Sequence, residues 1–196
     1  MPRTDFSTRE LSKETWPDFQ RLFGKHGEWG VCWCGYYQRA KPRLPKEDEG
    51  WSLERKAQRN RDEKKSLVEQ GRAHGILVYD GAEPIGWCQY GPREELPRID
   101  AARNYKALRL DGGEKIWRVT CLSVDRAYRR RGVAKLALAA ALDSIRARGG
   151  GTVEAYPVTH KGALAVWFGT QSMFEREGFE VVGPYGKSSV VMRKAL

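Results

Sequence analysis

The stretch from Val119 to Lys135 constrains this chain more than any other. An apolar run, Val119-Thr120-Cys121-Leu122-Ser123-Val124, passes through Asp125-Arg126-Ala127-Tyr128-Arg129-Arg130-Arg131 to Gly132. Val133-Ala134-Lys135 then opens a helix-period segment that continues to Arg148. The period changes from strand to helix across a short basic loop with a glycine at the junction. The first N–H groups of a helix have no internal partner and lie at its positive dipole end. Gly132 and Ala134 carry no bulk to keep a ligand from that backbone. Seven cations stand against one anion, Asp143, between Arg126 and Arg148, over half of the chain's net +10. The element reads as an anion cradle suited to a diphosphate, or as a basic helix start touching nucleic-acid phosphate.

The rest of the chain has to supply a frame for that element. Its 196 residues are 40% hydrophobic and 11% aromatic, enough for a sizeable core and against disorder. No apolar run reaches the roughly 18 residues of a membrane span. The N-terminal Met1-Pro2-Arg3-Thr4-Asp5 lacks a leader-like apolar stretch, and four Cys make no disulfide framework. A cytoplasmic protein with reduced thiols and no membrane partner is expected.

Thr15-Trp16-Pro17-Asp18 predicts a capped helix with Trp16, Phe19, Leu22 and Phe23 on its inner face. A charged helix is expected over about 52–70, its charges on a solvated face. Ile76–Tyr79, Asp80-Gly81 and Pro84–Tyr90 predict a hairpin. Ile116–Val124 predicts a strand, Val133–Arg148 a helix with Leu136, Ala140 and Ile145 inward, Thr152–Val158 a strand and Ala163–Glu177 a helix. A last hairpin, 179–182 with 189–192, completes a mixed α/β sheet flanked by helices.

In that order, Arg129-x-x-Gly132-x-Ala134 resembles the acyl-CoA-binding motif of the GNAT N-acetyltransferases. The resemblance runs from about Leu11 to Lys194 within one domain spanning 1–196, and includes Met173-Phe174-Glu175-Arg176-Glu177-Gly178-Phe179. It implies a GNAT-type acyl-CoA N-acyltransferase fold, a central mixed, mostly antiparallel sheet, and acetyl-CoA as cosubstrate without a metal. It places Leu122, Ser123 and Val124 along the pantetheine. The backbone of Arg130, Arg131, Gly132, Val133, Ala134 and Lys135, with Arg129, would meet the pyrophosphate.

It further implies direct attack of an amine on the thioester. Glu154, on a strand between apolar neighbours, is the first candidate base, with a pKa raised by burial. Tyr156 and His160 follow. Where family members often carry a tyrosine that protonates the leaving thiolate, this chain has Phe174, and Trp167-Phe168-Gly169-Thr170 replaces a frequent asparagine. Trp29, Cys32, Trp33, Cys34, Tyr36 and Tyr37 would form one wall of the acceptor pocket, or an aromatic cluster under a loop. Cys32-Trp33-Cys34 has neither the spacing nor the ligand count of a zinc site. Cys88 and Cys121 read as buried small residues on separate strands. The expected activity is N-acetylation of an unspecified primary amine, with oligomeric state open, a homodimer included. The alternatives are an acyl-CoA-binding protein without catalysis and a basic nucleic-acid-binding module.

Overall fold

A computed structural model describes residues 5–25, 29–40, 50–110, 115–159 and 165–196. Seven strands form one sheet: β1 (Ser7–Glu10), β2 (His74–Asp80), β3 (Glu83–Pro92), β4 (Ile116–Val124), β5 (Thr152–Ala155), β6 (Glu180–Pro184) and β7 (Val190–Ala195). Their order is β1-β2-β3-β4-β5-β7-β6, and every pairing is antiparallel except β4 with β5. The expected mixed, mostly antiparallel sheet with flanking helices is the observed architecture.

Strand alternation sends β2 side chains to both faces of the sheet, and each face carries its own core. Ile76 and Val78 join Ile85, Cys88 and Leu122 under α6 (Val133–Ala147). Leu77 and Tyr79 join Trp87 and Phe19, Leu22 and Phe23 of α1 (Trp16–Gly24). On α6 the buried positions are Val133, Ala137, Leu138, Ala141, Leu142 and Ile145. The expected Leu136 and Ala140 are half-buried beside that stripe. Each large apolar side chain fully removed from water contributes about 1.5–3 kcal/mol, so α6 is held as a rigid rod against β2–β4.

Three local expectations are corrected. Thr15 does not cap α1 through its side chain; its hydroxyl donates to Glu10 O at 2.8 Å and ties the helix start to β1. The single helix expected over Ala163–Glu177 is broken into α7 (Ala165–Phe168) and α8 (Gln171–Glu175). At the break Gly169 has φ +71, and a Cβ there would lie 2.6 Å from Met173 and 3.2 Å from Leu122. Finally, α3 (Leu53–Glu69), N-capped by Ser52, is not wholly solvated. Asn60, Lys64 and Val68, four residues apart, form a buried stripe.

The short segments that frame the site are α2 (Trp29–Cys32), α4 (Arg98–Ala101) and α5 (Arg103–Ala107). Among the described residues no helix is long and apolar enough to cross a membrane, and no group of three or more His, Cys, Asp or Glu is arranged to hold a metal.

Candidate active site

The site originates in a mismatch between β4 and β5. β4 pairs with β5 only over Ile116–Val119, against Thr152–Ala155. Beyond Ala155 the chain leaves β4, and Val158 bridges to Thr170 and Ser189 instead. The free half of β4, 120–124, thus faces an opening flanked by α7 and Gly169. A β-bulge adds to this. Gln89 pairs with Cys121 and Tyr90 with Val119, leaving Thr120 as the extra residue. The bulge brings Thr120 to the same face as Gln89, and its Oγ1 donates to Gln89 Oε1 at 3.2 Å.

Two cavities are lined by successive residues of this half of β4. On the α6 side, a groove of about 440 Å³ is lined by Leu122, Val124, the basic loop, the first turn of α6, and Gly169, Thr170, Met173 and Arg176. Asp125 Oδ1 accepts from Ala127 N at 3.0 Å, and Arg129 Nε donates to Val124 O at 3.3 Å, so the loop is fastened to the strand end. Arg130 and Gly132 both have positive φ, +62 and +86. Alternation of left-handed with ordinary residues turns successive N–H groups toward one concavity, an anion nest at the helix start. A Cβ on Gly132 would meet nothing within 4 Å, so the space before that backbone is open for a ligand. The residues present fit a bound diphosphate.

Of the ten residues expected along this groove, eight line it: Leu122, Val124, Arg129, Arg130, Gly132, Val133, Ala134 and Lys135. Ser123 is fully buried, its Oγ 3.7 Å from Cys121 Sγ. The Arg131 guanidinium lies over the rings of Tyr128 and Phe6. Tyr128, Gly169, Thr170, Met173 and Arg176 were not anticipated, because they come from the turn before the motif and from the broken helix after β5. Phe174 is 1% exposed and packs edge-on against Phe179 at 5.2 Å, with no hydroxyl to offer the groove.

On the α1 side lies a cavity of about 330 Å³, lined by Phe23, Cys32, Cys34, Tyr36, Tyr37, Gln89, Thr120, Cys121, Trp167 and Phe168. Of the six residues expected here, Cys32, Cys34, Tyr36 and Tyr37 line it. Trp33 instead packs into the aromatic cluster behind it, 6.0 Å from Phe23 and from Phe19. Trp29 lies in α2, but its side chain is outside the described residues, as is His160. Trp33 and Cys34 have φ +47 and +49, consecutive left-handed conformations that residues other than glycine rarely adopt. They persist because the turn is held from three sides. Gln89 Nε2 donates to Cys34 O at 3.0 Å, Gly35 N to Cys32 O at 3.0 Å, and Asn60 Nδ2 to Val31 O. The result sends Trp33 into the core and Cys34 toward β4, where its Sγ donates to Cys121 Sγ at 3.2 Å.

Glu154 and Tyr156 line neither cavity. Register places Glu154 on β5 between Arg118 of β4 and Arg193 of β7. Its carboxylate accepts from Arg193 at 2.8 Å, Arg118 at 3.4 Å, Tyr156 at 2.6 Å and Tyr105 at 2.8 Å. Arg118, itself fully buried, donates to both oxygens of Asp100 at 2.7 and 2.9 Å. The raised pKa expected for Glu154 is therefore corrected. Burial pushes the carboxyl up, but bonds from Tyr156, Arg193 and Tyr105 and the Arg118 charge outweigh it, and the net shift is downward. The Tyr156 hydroxyl moves the other way: burial and the adjacent Glu154 carboxylate hold its proton well above the ordinary phenol range, against the Arg118 charge.

The charge distribution is also narrower than the sequence suggests. Of the seven cations between Arg126 and Arg148, Arg129, Arg130 and Lys135 line the groove, with Arg176 arriving from beyond α8. Arg146 pairs with Asp143 at 2.6 Å and Arg148 with Glu10 at 2.7 Å, at the far end of α6.

Comparison with known proteins places this geometry. A family model described as the Acetyltransferase (GNAT) family matches residues 33–169. None of the curated proteins matches the sequence. Three solved structures share the fold. The PaiA N-acetyltransferase of Thermoplasma acidophilum, in complex with coenzyme A, is 14% identical with TM-score 0.55, covering 98% of this chain and 99% of that one. Arabidopsis thaliana NAA60, in complex with acetyl-CoA, is 16% identical with TM-score 0.54, covering 97% and 98%. An agmatine N-acetyltransferase is 12% identical with TM-score 0.55, covering 98% and 100%.

Proposed function

The chain belongs to the GNAT acetyltransferase family, and on that premise we propose that it transfers an acetyl group from acetyl-CoA to a primary amine. The observation that carries the proposal is that two dissimilar cavities are lined by successive residues of β4, Thr120 and Cys121 for one and Leu122 for the other. One is a basic groove at a helix N-terminus; the other is an aromatic pocket. Two solved structures of the same fold hold coenzyme A and acetyl-CoA, and another is an agmatine N-acetyltransferase, which supports this assignment of the two sides.

Bound acetyl-CoA supplies a thioester whose acyl carbon the amine attacks directly. The chain's own contribution is placement and electrostatics. Main-chain N–H groups from Arg130 to Lys135 receive the pyrophosphate, with Arg129, Lys135 and Arg176 adding charge around it. The freed edge of β4 at Leu122–Val124 lies along the pantetheine, and a main-chain N–H there stabilises the developing oxyanion. Tyr36, Tyr37, Trp167 and Phe168 hold the acceptor by stacking and cation–π contact. Glu154, ionised and engaged by four donors, positions β4, β5 and β7 rather than moving protons. The amine's proton leaves to solvent through the open pocket. The leaving thiolate needs no acid in place of Phe174, since a thiol of pKa near 8.5 departs tolerably at neutral pH.

The burial of Phe174 against Phe179 favours one rival, a CoA-binding protein without turnover. Acetyl transfer to a panel of aliphatic and aromatic amines, run beside a CoA titration, separates the two. Turnover of any amine supports the transferase; saturable CoA binding with no turnover across the panel supports the rival.

A further inference from the structure

Three of the four cysteines lie on the α1 face of the sheet around the pocket, and the transfer proposed above uses none of their thiols. Cys121 stands on β4 and Cys34 on the turn after α2, 87 positions apart, with their sulfurs 3.2 Å apart. A disulfide needs about 2.05 Å, so the sulfurs have little over an ångström to travel. The two cysteines, from different elements, line the same pocket side by side. Cys121 is partly accessible from it, while Cys34 is buried.

Their surroundings distinguish the two sulfurs. The Cys34 thiol donates a hydrogen bond to Cys121 Sγ, and with Ser123 and the charge of Lys64 this outweighs burial, so the Cys121 thiol is held below its ordinary range. Burial, with the neighbouring thiols, pushes Cys34 well above it. Lys64 is buried on the inner stripe of α3, its Nζ 2.6 Å from Gln38 Oε1. Burial brings its pKa down to about 8, against the pull of the three thiols. A pocket-lining cysteine whose thiol is held below its ordinary range, with a second thiol in contact and a buried lysine nearby, is the arrangement of a reactive cysteine with its resolving partner.

We propose that Cys34 and Cys121 are a peroxide-responsive thiol pair whose disulfide cross-links β4 to the turn after α2 in the lining of the acceptor pocket and slows transfer to amines. The Cys121 thiolate attacks one oxygen of hydrogen peroxide, the O–O bond breaks, and hydroxide leaves, giving a Cys121 sulfenic acid. The Cys34 sulfur then attacks the Cys121 sulfur. Hydroxide is displaced and takes the Cys34 proton as water. Two thiols are oxidised to one disulfide while peroxide is reduced to two waters, and an added dithiol reverses the change. The neighbouring cysteines do not compete. Cys32 and Cys34 are too close in sequence for an unstrained bridge, and Cys88 is buried in the α6-side core, across the sheet.

Formation of the link does not depend on the functional reading; its effect on turnover does. The full chain is titrated with hydrogen peroxide, quenched, and analysed by thiol counting and by non-reducing peptide mapping. The free-thiol count should fall from four to two, with the Cys34 peptide linked to that of Cys121. Cys32→Ser and Cys88→Ser should preserve the link, and Cys34→Ser and Cys121→Ser should each abolish it. The oxidised protein should melt at a higher temperature, since the bridge closes a long loop. It should keep its stabilisation by CoA yet acetylate amines about tenfold more slowly or worse, with dithiothreitol restoring the rate. A map linking Cys32 to either sulfur, oxidation of Cys121 to sulfinic acid without a link, or undiminished turnover by the linked form would overturn the proposal. If neither form turns over any amine while the Cys34–Cys121 link forms and reverses, the transferase reading fails and the redox pair stands.

Discussion

At the scale of single residues, Glu154 shows how far a residue type can be read without its neighbours. Its strand, its apolar flanks and its burial were all legible in Thr152–Tyr156. The arginines on either side were not, because Arg118 and Arg193 become its neighbours only through the register of β4 and β7. With that register, burial yields an ion-paired carboxylate instead of a proton acceptor. Removing one member of such a pair leaves a buried charge uncompensated, which costs about 3 kcal/mol or more. Glu154→Gln should therefore lower stability by that order in urea denaturation. The ionised form contributes stability at pH above about 4.3, the ordinary glutamate value, and the contribution is lost as pH falls through the lowered folded value. The acid limb of the stability profile should accordingly be shallower in Glu154→Gln than in the parent. In the parent, kcat/KM should rise with pH along the acceptor amine's own titration and shift when the amine is changed. An inflection that stays fixed across amines and vanishes in a folded Glu154→Gln protein would restore Glu154 as the base.

Gly132 gives a second residue-scale prediction, argued from backbone. Its φ of +86 costs a non-glycine residue about 1–2 kcal/mol, which a chain of this size can absorb. Gly132→Glu also puts a carboxylate into the groove where a diphosphate is to bind. CoA affinity should be lost while circular dichroism and cooperative melting persist. Retained affinity would mean the cradle is elsewhere.

At the scale of elements, the strand–basic loop–helix unit was fully legible because all of its signals are local: apolar run, glycine, helical period. The hairpin at Asp80-Gly81 and the limits of α1 and α3 were legible for the same reason. The splay of β4 from β5 was not. It depends on where the chain goes after Ala155, which no local pattern declares. Trp167 and Phe168 thus joined the pocket unannounced, although two adjacent large aromatics before a glycine are a visible oddity inside a presumed helix. The break at Gly169 keeps α7 beside the free half of β4 and lets Met173 reach the groove. Gly169→Ala combines a positive φ with a Cβ 2.6 Å from Met173 and 3.0 Å from Phe174. A destabilisation of about 2–4 kcal/mol is expected from strain and overpacking together, along with weaker CoA binding. Trp167→Ala removes one pocket wall without touching the groove. It should raise the KM for the amine several-fold and leave the KM for acetyl-CoA unchanged. An equal rise in both would show that the two cavities are not separate subsites.

At the scale of the whole molecule, the feature most open to misreading is the net charge of +10. A basic protein of this size invites a nucleic-acid partner, yet the structure divides the charge among several local tasks. Three of the seven cations around α6 meet the groove, two are paired at the helix's far end, and Arg131 lies over aromatic rings. Arg39 pairs with Glu63 on α3, and Lys64 is turned inward. The cations at the groove, gathered at one helix terminus, suit one small polyanion. The groove's shape and charge are proposed to serve coenzyme A. The most direct test is the melting temperature of the full chain during titration with CoA at fixed ionic strength. A ligand specific to the folded state at 100 times its Kd stabilises by about 2.7 kcal/mol. Micromolar CoA should thus raise the melting temperature by several degrees in the parent and not in Gly132→Glu. No shift in the parent at millimolar CoA would mean that the groove does not bind coenzyme A.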